Sequence, residues 1–386
     1  MKARPDMRRA PPATRPTLWR RLLLSLLAAA PVAIVLELVH GDPLWIFVAS
    51  SLAIVPLAGL MGEATEALAE HMGPAVGGLL NATFGNAAEL IIALVVLSRG
   101  PQMYPLVKAS ITGSIIGNIL LVLGVSIVAG GISYKRQEFN RVSASMGATL
   151  LALASIGLVV PTLFFHIYRA STGVSAVEAR DIEFLSEEIA VVLAVTYFLS
   201  LAFTLVTHRD LFSGKEASSR DSAQRPSRAR RRDAVLLLLA ATAGVTVLSE
   251  LLVGSIEHAA ETLGMSQVFI GVIVVAIIGN AAEHSTAVQM AIKNKMDLSF
   301  QIAVGSGIQI ALLVAPLLVL ASTFMGHGAA LDLHFTPMEL AALILSVGVL
   351  ALVSQDGETH WMEGVMLLGV YLIFALAFYH LPPGTW

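Results

Sequence analysis

Gly85-Asn86-Ala87-Ala88-Glu89 recurs as Gly279-Asn280-Ala281-Ala282-Glu283, 194 residues later in a chain of 386. Beyond each copy lies a second match: Gly113-Ser114-Ile115-Ile116 answers to Gly305-Ser306-Gly307-Ile308 after a two-residue gap. Acids precede both copies: Glu63, Glu66 and Glu70 before the first, Glu257 and Glu261 before the second. Five identical residues at half-chain spacing, each with a similar neighbourhood, indicate an internal duplication, and both copies lie in strongly apolar surroundings.

Those surroundings define the solvent. The chain is 56% apolar and only 13% charged, with a mean hydropathy of +0.78, where a soluble domain carries about 25% charged residues. Apolar stretches of bilayer-crossing length fall near 22–39, 44–61, 74–98, 105–129, 143–166, 186–206, 234–254, 266–291, 299–323, 336–354 and 361–380, which predicts eleven spans. Seven Lys and Arg residues precede the first, as in a signal peptide with Ala28-Ala29-Ala30 at its cleavage region. The apolar run from Leu22 to Val39 is nevertheless long enough to span, and it is read as an uncleaved first helix. With the N-terminus in the cytoplasm, the tail, 130–142, 207–233 and 292–298 hold twenty of the 24 Lys and Arg residues. Only Arg99, Lys108, Arg169 and Arg180 fall on the other side. The positive-inside rule therefore predicts a cytoplasmic N-terminus and an external C-terminus.

The motif copies occupy spans 3 and 8. Repeats of five spans place the second copy upside down relative to the first, a transporter signature with its site at the midplane. The expected organisation is a basic tail and extra span over 1–43, a first repeat over 44–206, a basic cytoplasmic linker over 207–233 and a second repeat over 234–386. The expected fold is all-α and polytopic, with eleven transmembrane helices (1 + 5 + 5) in two inverted repeats and helices broken at the midplane.

A carboxylate at mid-bilayer costs about 2.5–3.5 kcal/mol on insertion scales and is functional by default. Glu89 lies three residues after Asn86 and Glu283 three after Asn280, so one helix face would present both side chains in each repeat. If the repeats cross, two carboxylates and two amides converge into a hard-oxygen site of the kind calcium accepts. The chain has no cysteine, and without thiols or paired histidines softer metals are not favoured. Gly77, Gly78, Gly85, Gly271 and Gly279 make both spans easy to break, and unwound backbone could add carbonyl ligands. A buried pair of charge −2 is neutralised by one divalent cation or by two protons, and its empty, doubly charged form resists crossing. Such a site exchanges ions and does not leak them. Ser114, Asn118, Ser306 and Gln309 in spans 4 and 9 either join it or make ordinary interhelical hydrogen bonds.

These residues resemble the calcium/proton exchanger family, the cation/proton branch of the calcium:cation antiporters. The doubled GNAAE at 85–89 and 279–283, the Gly-Ser spans at 113 and 305 and the arrangement of one plus twice five spans carry the resemblance over residues 44–380. It implies a secondary antiporter in which Glu89 and Glu283 bind calcium and exchange it for protons, with calcium as transported substrate, the bilayer as partner, no further cofactor and no nucleic acid. A bacterial-type inner membrane is the expected location, and association of copies is left open. Two departures stand out. The linker is basic where some members carry an acidic stretch. The hydroxyl-rich motifs and aspartate of the sodium/calcium branch are absent from both GNAAE segments, which argues for protons over sodium; exchange driven by sodium or potassium is the alternative within transport, and manganese could share the site. A channel needs weak multi-ion binding along a pore, and an intramembrane enzyme would want an HExxH or paired-aspartate motif that this sequence lacks.

Other polar residues have two readings each. Glu63, Glu66 and Glu70 at the inner end of span 2, and Glu257 and Glu261 at the outer end of span 7, are either solvated helix ends or acidic entrances that concentrate cations; Glu250 lies deeper. His284 adjoins Glu283 but points to another face. His71, His258, His327 and His334 read as loop or interface residues, Asp356, Glu358 and Glu363 as a loop and helix start, and the arginine run at 228–232 as an anchor near anionic lipid.

Overall fold

The computed structural model describes residues 23–72, 74–172, 179–208, 228–326 and 328–381. The N-terminal tail, most of the basic linker, His327 and the extreme C-terminus lie outside them. The described chain is helical almost throughout. Helix α1 is Leu23–Leu38, α2 Pro43–Met72, α3 Pro74–Phe84, α4 Ala87–Ser98, α5 Pro101–Gly131, α6 Arg141–Thr172 and α7 Asp181–Thr207. After the linker come α8, Arg228–Leu263; α9, Gln267–Gly279; α10, Ala281–Ile292; α11, Met296–Phe324; α12, Pro337–Val353; and α13, Trp361–Tyr379. Seven of these are each long and apolar enough to cross a bilayer, and α9 with α10 forms a further candidate span bent by 61°. Together with α1, the α3–α4 pair and α12, this order is consistent with the eleven predicted spans.

Local chemistry sets the boundaries. Pro101 and Pro337 start α5 and α12, where a missing N–H is harmless. Ser266 caps α9 by accepting from the Phe269 amide at 3.1 Å. Thr336 and Glu339 form a reciprocal capping box on α12. Gly264, at φ +65°, takes the left-handed turn just after α8. Gly62 and Gly254, at the ends of the apolar parts of α2 and α8, keep helical backbone and do not stop them, so both helices run well past their predicted spans. Glu63, Glu66 and Glu70 consequently lie on α2 itself, and Glu250, Glu257 and Glu261 on α8.

The centre of the bundle is α5 and α11. In their most apolar stretches 83% and 72% of residues are buried, against 17% for α7 and 22% for α13, which places the latter two at the lipid-facing edge. Helices α2 and α8 pack along each other more extensively than any other pair and form a small apolar cluster of their own. In it Ala58 and Met61 of α2 and Ala241 and Val245 of α8 close on Ala87 and Ala88 of the first motif.

Two extended loops clamp the bundle at corresponding places. The loop after α5 pairs β1 (Gln137–Glu138) with β2 (Glu358–Thr359) and reaches the α10–α11 turn, where Gln137 donates to the Ala291 carbonyl at 2.8 Å and Phe139 stacks on Phe300. The loop after α11 reaches the start of α5. There Tyr104 donates to the Ala329 carbonyl at 2.8 Å, and Lys108, sequestered from solvent, pairs with Asp332 and donates to the His334 carbonyl. Lys108 is thus an internal tie between α5 and the loop after α11. His334 is indeed a loop residue, half buried, and that burial lowers its pKa.

Candidate functional site

Each motif breaks its own span. Asn86 and Asn280 sit in the breaks, outside helical backbone, as the N-cap residues of α4 and α10, and Glu89 and Glu283 follow in the first helical turn. The spans are broken at the motifs, and the expected pairing of Asn and Glu takes its form from that break. The amide lies at the break, and the carboxylate lies over a helix N-terminus whose dipole favours negative charge.

The two breaks meet. Gly85 of the first motif lies against the second motif's glutamate: a methyl at its α-carbon would stand 3.7 Å from Glu283 Oε1. Gly279 of the second lies against the first motif's glutamate, with Glu89 Cγ at 3.0 Å from the corresponding position. The two carboxylates are close enough to repel each other.

Helices α5 and α11 supply the rest. Asn280 donates to Ser114 Oγ at 3.0 Å. Asn118 donates at 2.8 Å to both Asn280 Oδ1 and Ser306 Oγ. Asn86 contacts Ser306 and Gln309 in either orientation of its amide; turned with nitrogen toward the carboxylate, it donates to Glu283 Oε1 at 2.8 Å. Ser306 also lies close to Glu283. All six amide and hydroxyl residues singled out from sequence therefore join one network with Glu283. Glu89 stands across from it, and its Oε1 is buried with no hydrogen-bond partner, as is Asn118 Oδ1. Buried acceptors are normally satisfied. Two orphaned acceptor oxygens beside a second carboxylate are the surroundings a hard cation needs. Among the described residues no group of three His, Cys, Asp or Glu could hold a metal ion, so the carboxyl pair depends on neutral oxygens to complete its coordination.

The site opens to one side. Helices α4 and α9 bury Ile92, Val96, Leu97, Val272 and Val275, and α5 crosses α9 with Gly113 pressed on the Val272 backbone and Gly271 on Ala109. A side chain at either glycine would force these helices apart. On the opposite side α3 and α10 expose the polar residues Asn81, Thr286 and Gln289. The counterpart of Gly113, Gly305, has nothing near its missing side chain. The α4–α9 side is thus closed by packing, and the α3–α10 side, with its exposed polar residues, is the more open one.

The six outlying acids do not join the cluster. Glu63, Glu66 and Glu70 are exposed along α2 on the open side, beyond the point where Gly59 touches Ala282 of the second motif. Glu257 and Glu261 are exposed on α8, and Glu250 forms an ion pair with Arg99 at the end of α4. His284 is buried beside Glu283, and its Nε2 has no partner.

Three features escaped the sequence reading. Helices α5 and α11 each contain a π-helical segment, Gly117–Val122 and Ile310–Val314, at corresponding places just after their Gly-Ser pairs. Such wide turns re-aim side chains at functional sites, and Asn118 lies in the first of them. The two alanines of the first motif are small because α2 and α8 pack there. Glu339 is a fully buried acid held by Thr336, with Thr112 at 3.5 Å; the T-x-x-E spacing from Thr336 is the signal that would have found it.

Fold and site together define a polytopic α-helical membrane protein in which two broken helices cross at one buried, oxygen-lined, two-carboxylate centre. The sodium/calcium exchanger protein family matches residues 43–206 and again 233–380, and the chain belongs to that family. It is 43% identical to a Ca(2+)/H(+) antiporter of Aphanothece halophytica over 371 residues, covering 94% of this chain and 97% of that one. It is 42% identical to the Ca(2+)/H(+) antiporter ChaA of Bacillus subtilis over 361 residues, covering 93% and 99%. The solved structure of native YfkE superposes with a TM-score of 0.77 at 39% identity, over 93% of this chain and all of that one.

Proposed function

We infer that this chain is a secondary antiporter that exchanges Ca2+ for H+ across a membrane by alternating access. The observation that carries the reading is the unpartnered, buried Oε1 of Glu89 facing a second carboxylate from the opposite motif. Glu89 and Glu283 are the shared ligands. Either Ca2+ or protons neutralise the pair, and the empty −2 site is too costly in low dielectric to reorient. Asn86, Asn280, Ser114, Ser306, Gln309 and Asn118 hold the carboxylates and offer neutral oxygens. The full-length similarity to two Ca(2+)/H(+) antiporters supports the assignment of ions. The division into a first repeat over 44–206 and a second over 234–386 is supported by the double family match. With twenty of the 24 Lys and Arg residues on one side, the N-terminus and linker are cytoplasmic, the C-terminus is external, and the open side of the site faces the cytoplasm.

The test is calcium uptake into proteoliposomes under proton, sodium and potassium gradients imposed in turn. Uptake follows the pH gradient and survives removal of sodium and potassium; uptake that stops without either ion overturns the assignment. Because the chain has no cysteine, single cysteines at Ser218 and Thr385 report topology. Labelling of both from the same side refutes the orientation.

A further inference from the structure

Gly279 is in right-handed helical backbone at the end of α9, so its conformation does not require glycine. Helix propensity in fact favours alanine there by about 1 kcal/mol. What the missing side chain supplies is room. A methyl at this position would stand 3.0 Å from Glu89 Cγ, 3.6 Å from Cδ and 3.7 Å from Oε1, so its three nearest contacts outside its own helix all belong to that one side chain of the opposite motif. The first contact is tighter than most carbon–carbon contacts, and the flexible Glu89 side chain would have to give by a few tenths of an ångström. Gly85 stands in the same relation to Glu283 but more loosely, at 3.7 Å, and a methyl there would also strike the Asn81 carbonyl at 2.8 Å. Of the two motif glycines, position 279 is therefore the one where the seat of a carboxylate can be altered without striking a backbone atom among its nearest contacts.

We propose that Gly279 is a positioning residue for ion selection: by leaving the seat in which the Glu89 side chain lies, it fixes where that carboxylate stands relative to Glu283 and so which divalent cation the pair fits. The inference rests on the reading of Glu89 and Glu283 as ligands. Oxygen ligands reach calcium at about 2.3–2.6 Å, and smaller hard cations demand shorter, stricter geometry. A site loses function when its first-shell groups move by about 0.5 Å. A displacement of a few tenths of an ångström at Glu89 is therefore large enough to change both affinity and rank order.

The experiment compares the parent, Gly279→Ala and Gly348→Ala in proteoliposomes with the chlorides of calcium, strontium and manganese. Gly348 lies in α12 with nothing near its α-carbon and serves as the control for a helical Gly→Ala change. Gly279→Ala raises KM for calcium about tenfold, leaves kcat within about threefold, and shifts the strontium-to-calcium and manganese-to-calcium KM ratios by about threefold or more; Gly348→Ala does none of this. A uniform fall in kcat for all three ions, or parent-like KM values, overturns the proposal. A thermal-unfolding cycle in chelator, with Gly279→Ala made alone and in a Glu89→Ala background, supplies a readout independent of transport. The methyl lowers the midpoint where Glu89 is present and fails to lower it where the side chain is gone. An equal loss in both backgrounds, or failure of both to fold, assigns Gly279 a purely structural role and refutes the inference. A parent without pH-driven uptake brings down the antiporter reading instead, while the unfolding cycle still reports on the contact.

Discussion

Glu89→Gln separates charge from shape at the centre of the site. Glutamine keeps the volume and one carbonyl oxygen but removes the negative charge that calcium would meet. On the proposed reading the cation lies between Glu89, whose Oε1 has no other partner, and Glu283, to which the amide of Asn86 donates when its nitrogen faces the carboxylate. Removing one member of a buried charge pair costs about 3–5 kcal/mol. At about 1.4 kcal/mol per decade, calcium affinity should fall by roughly two to three and a half orders of magnitude. Calcium at a hundred times the parent Kd stabilises the parent by about 2.7 kcal/mol. At the same concentration a variant weakened about a thousandfold gains less than about 0.1 kcal/mol, so its calcium-induced rise in Tm vanishes. The calcium-free protein should move the other way. Two buried carboxylates that repel each other become one, and Tm in chelator at pH 8 should rise. Thermal unfolding of purified, monodisperse protein with calcium and with chelator reads both effects, and proteoliposome uptake reads the loss of exchange. Glu283→Gln should behave alike, whereas Glu→Gln at Glu63 or Glu257, both exposed, should do no more than weaken apparent affinity. A Glu89→Gln protein that keeps half of the parent's calcium-induced shift, or exchanges calcium at near the parent rate, refutes the paired-carboxylate mechanism.

Asn118→Ala removes the donor shared by Asn280 Oδ1 and Ser306 Oγ; leaving buried acceptors unpaired should lower stability by about 1–3 kcal/mol and raise KM for calcium, measured as Tm in chelator and as uptake. Parent values for both would show that the network forms without it. Glu250→Gln should leave uptake KM within about twofold and stability within about 1 kcal/mol, because Glu250 pairs with Arg99 and both side chains are about half exposed. A severalfold rise in KM would make Glu250 part of the ion path after all.

The sequence announces the site more fully than its geometry. GNAAE at 85–89 and 279–283, with Ser114, Ser306, Gln309 and Asn118, identifies all eight residues that meet, because a buried polar atom in an apolar span needs a reason and the duplication provides one. How they meet is not in the letters. The 3.6-residue period suggests that Asn86 and Glu89 share a helix face, and only the backbone at Asn86, φ −97° and ψ 28°, reveals the amide at a break with the carboxylate over a helix N-terminus. The π segments after Gly113-Ser114 and Gly305-Ser306 leave no mark in composition, since Ile, Leu and Val fill α and π turns equally well. Helix length was misread at the acids for a simpler reason. Hydropathy stops where charge begins, but hydrogen bonding does not, so α2 continues through Glu63, Glu66 and Glu70 to Met72. The pairing of Glu250 is not legible because its partner, Arg99, lies 151 residues away in sequence.

The pairing of each glycine with the other motif's glutamate explains why one site needs both halves of the chain. In α9 the turn that ends at Gly279 makes room for Glu89, and in the first motif Gly85 lies against Glu283, so neither motif alone encloses its own carboxylate. The crossing is also uneven. Gly113 and Gly271 bring α5 and α9 into backbone contact on the closed side, whereas Gly305, the counterpart of Gly113, faces empty space on the open side. Two halves with the same motifs in opposite orientation can exchange these arrangements, so that the closed crossing opens and the open one closes around carboxylates that stay at the centre. Such an exchange has to carry Glu89 and Glu283 through a state shut from water on both sides. There two uncompensated charges have neither solvent nor cation, and desolvation opposes passage by several kcal/mol per ion. A calcium ion or two protons remove that penalty. The coupling of calcium to protons on this reading needs no separate gate: the charge of the pair decides when the halves can exchange.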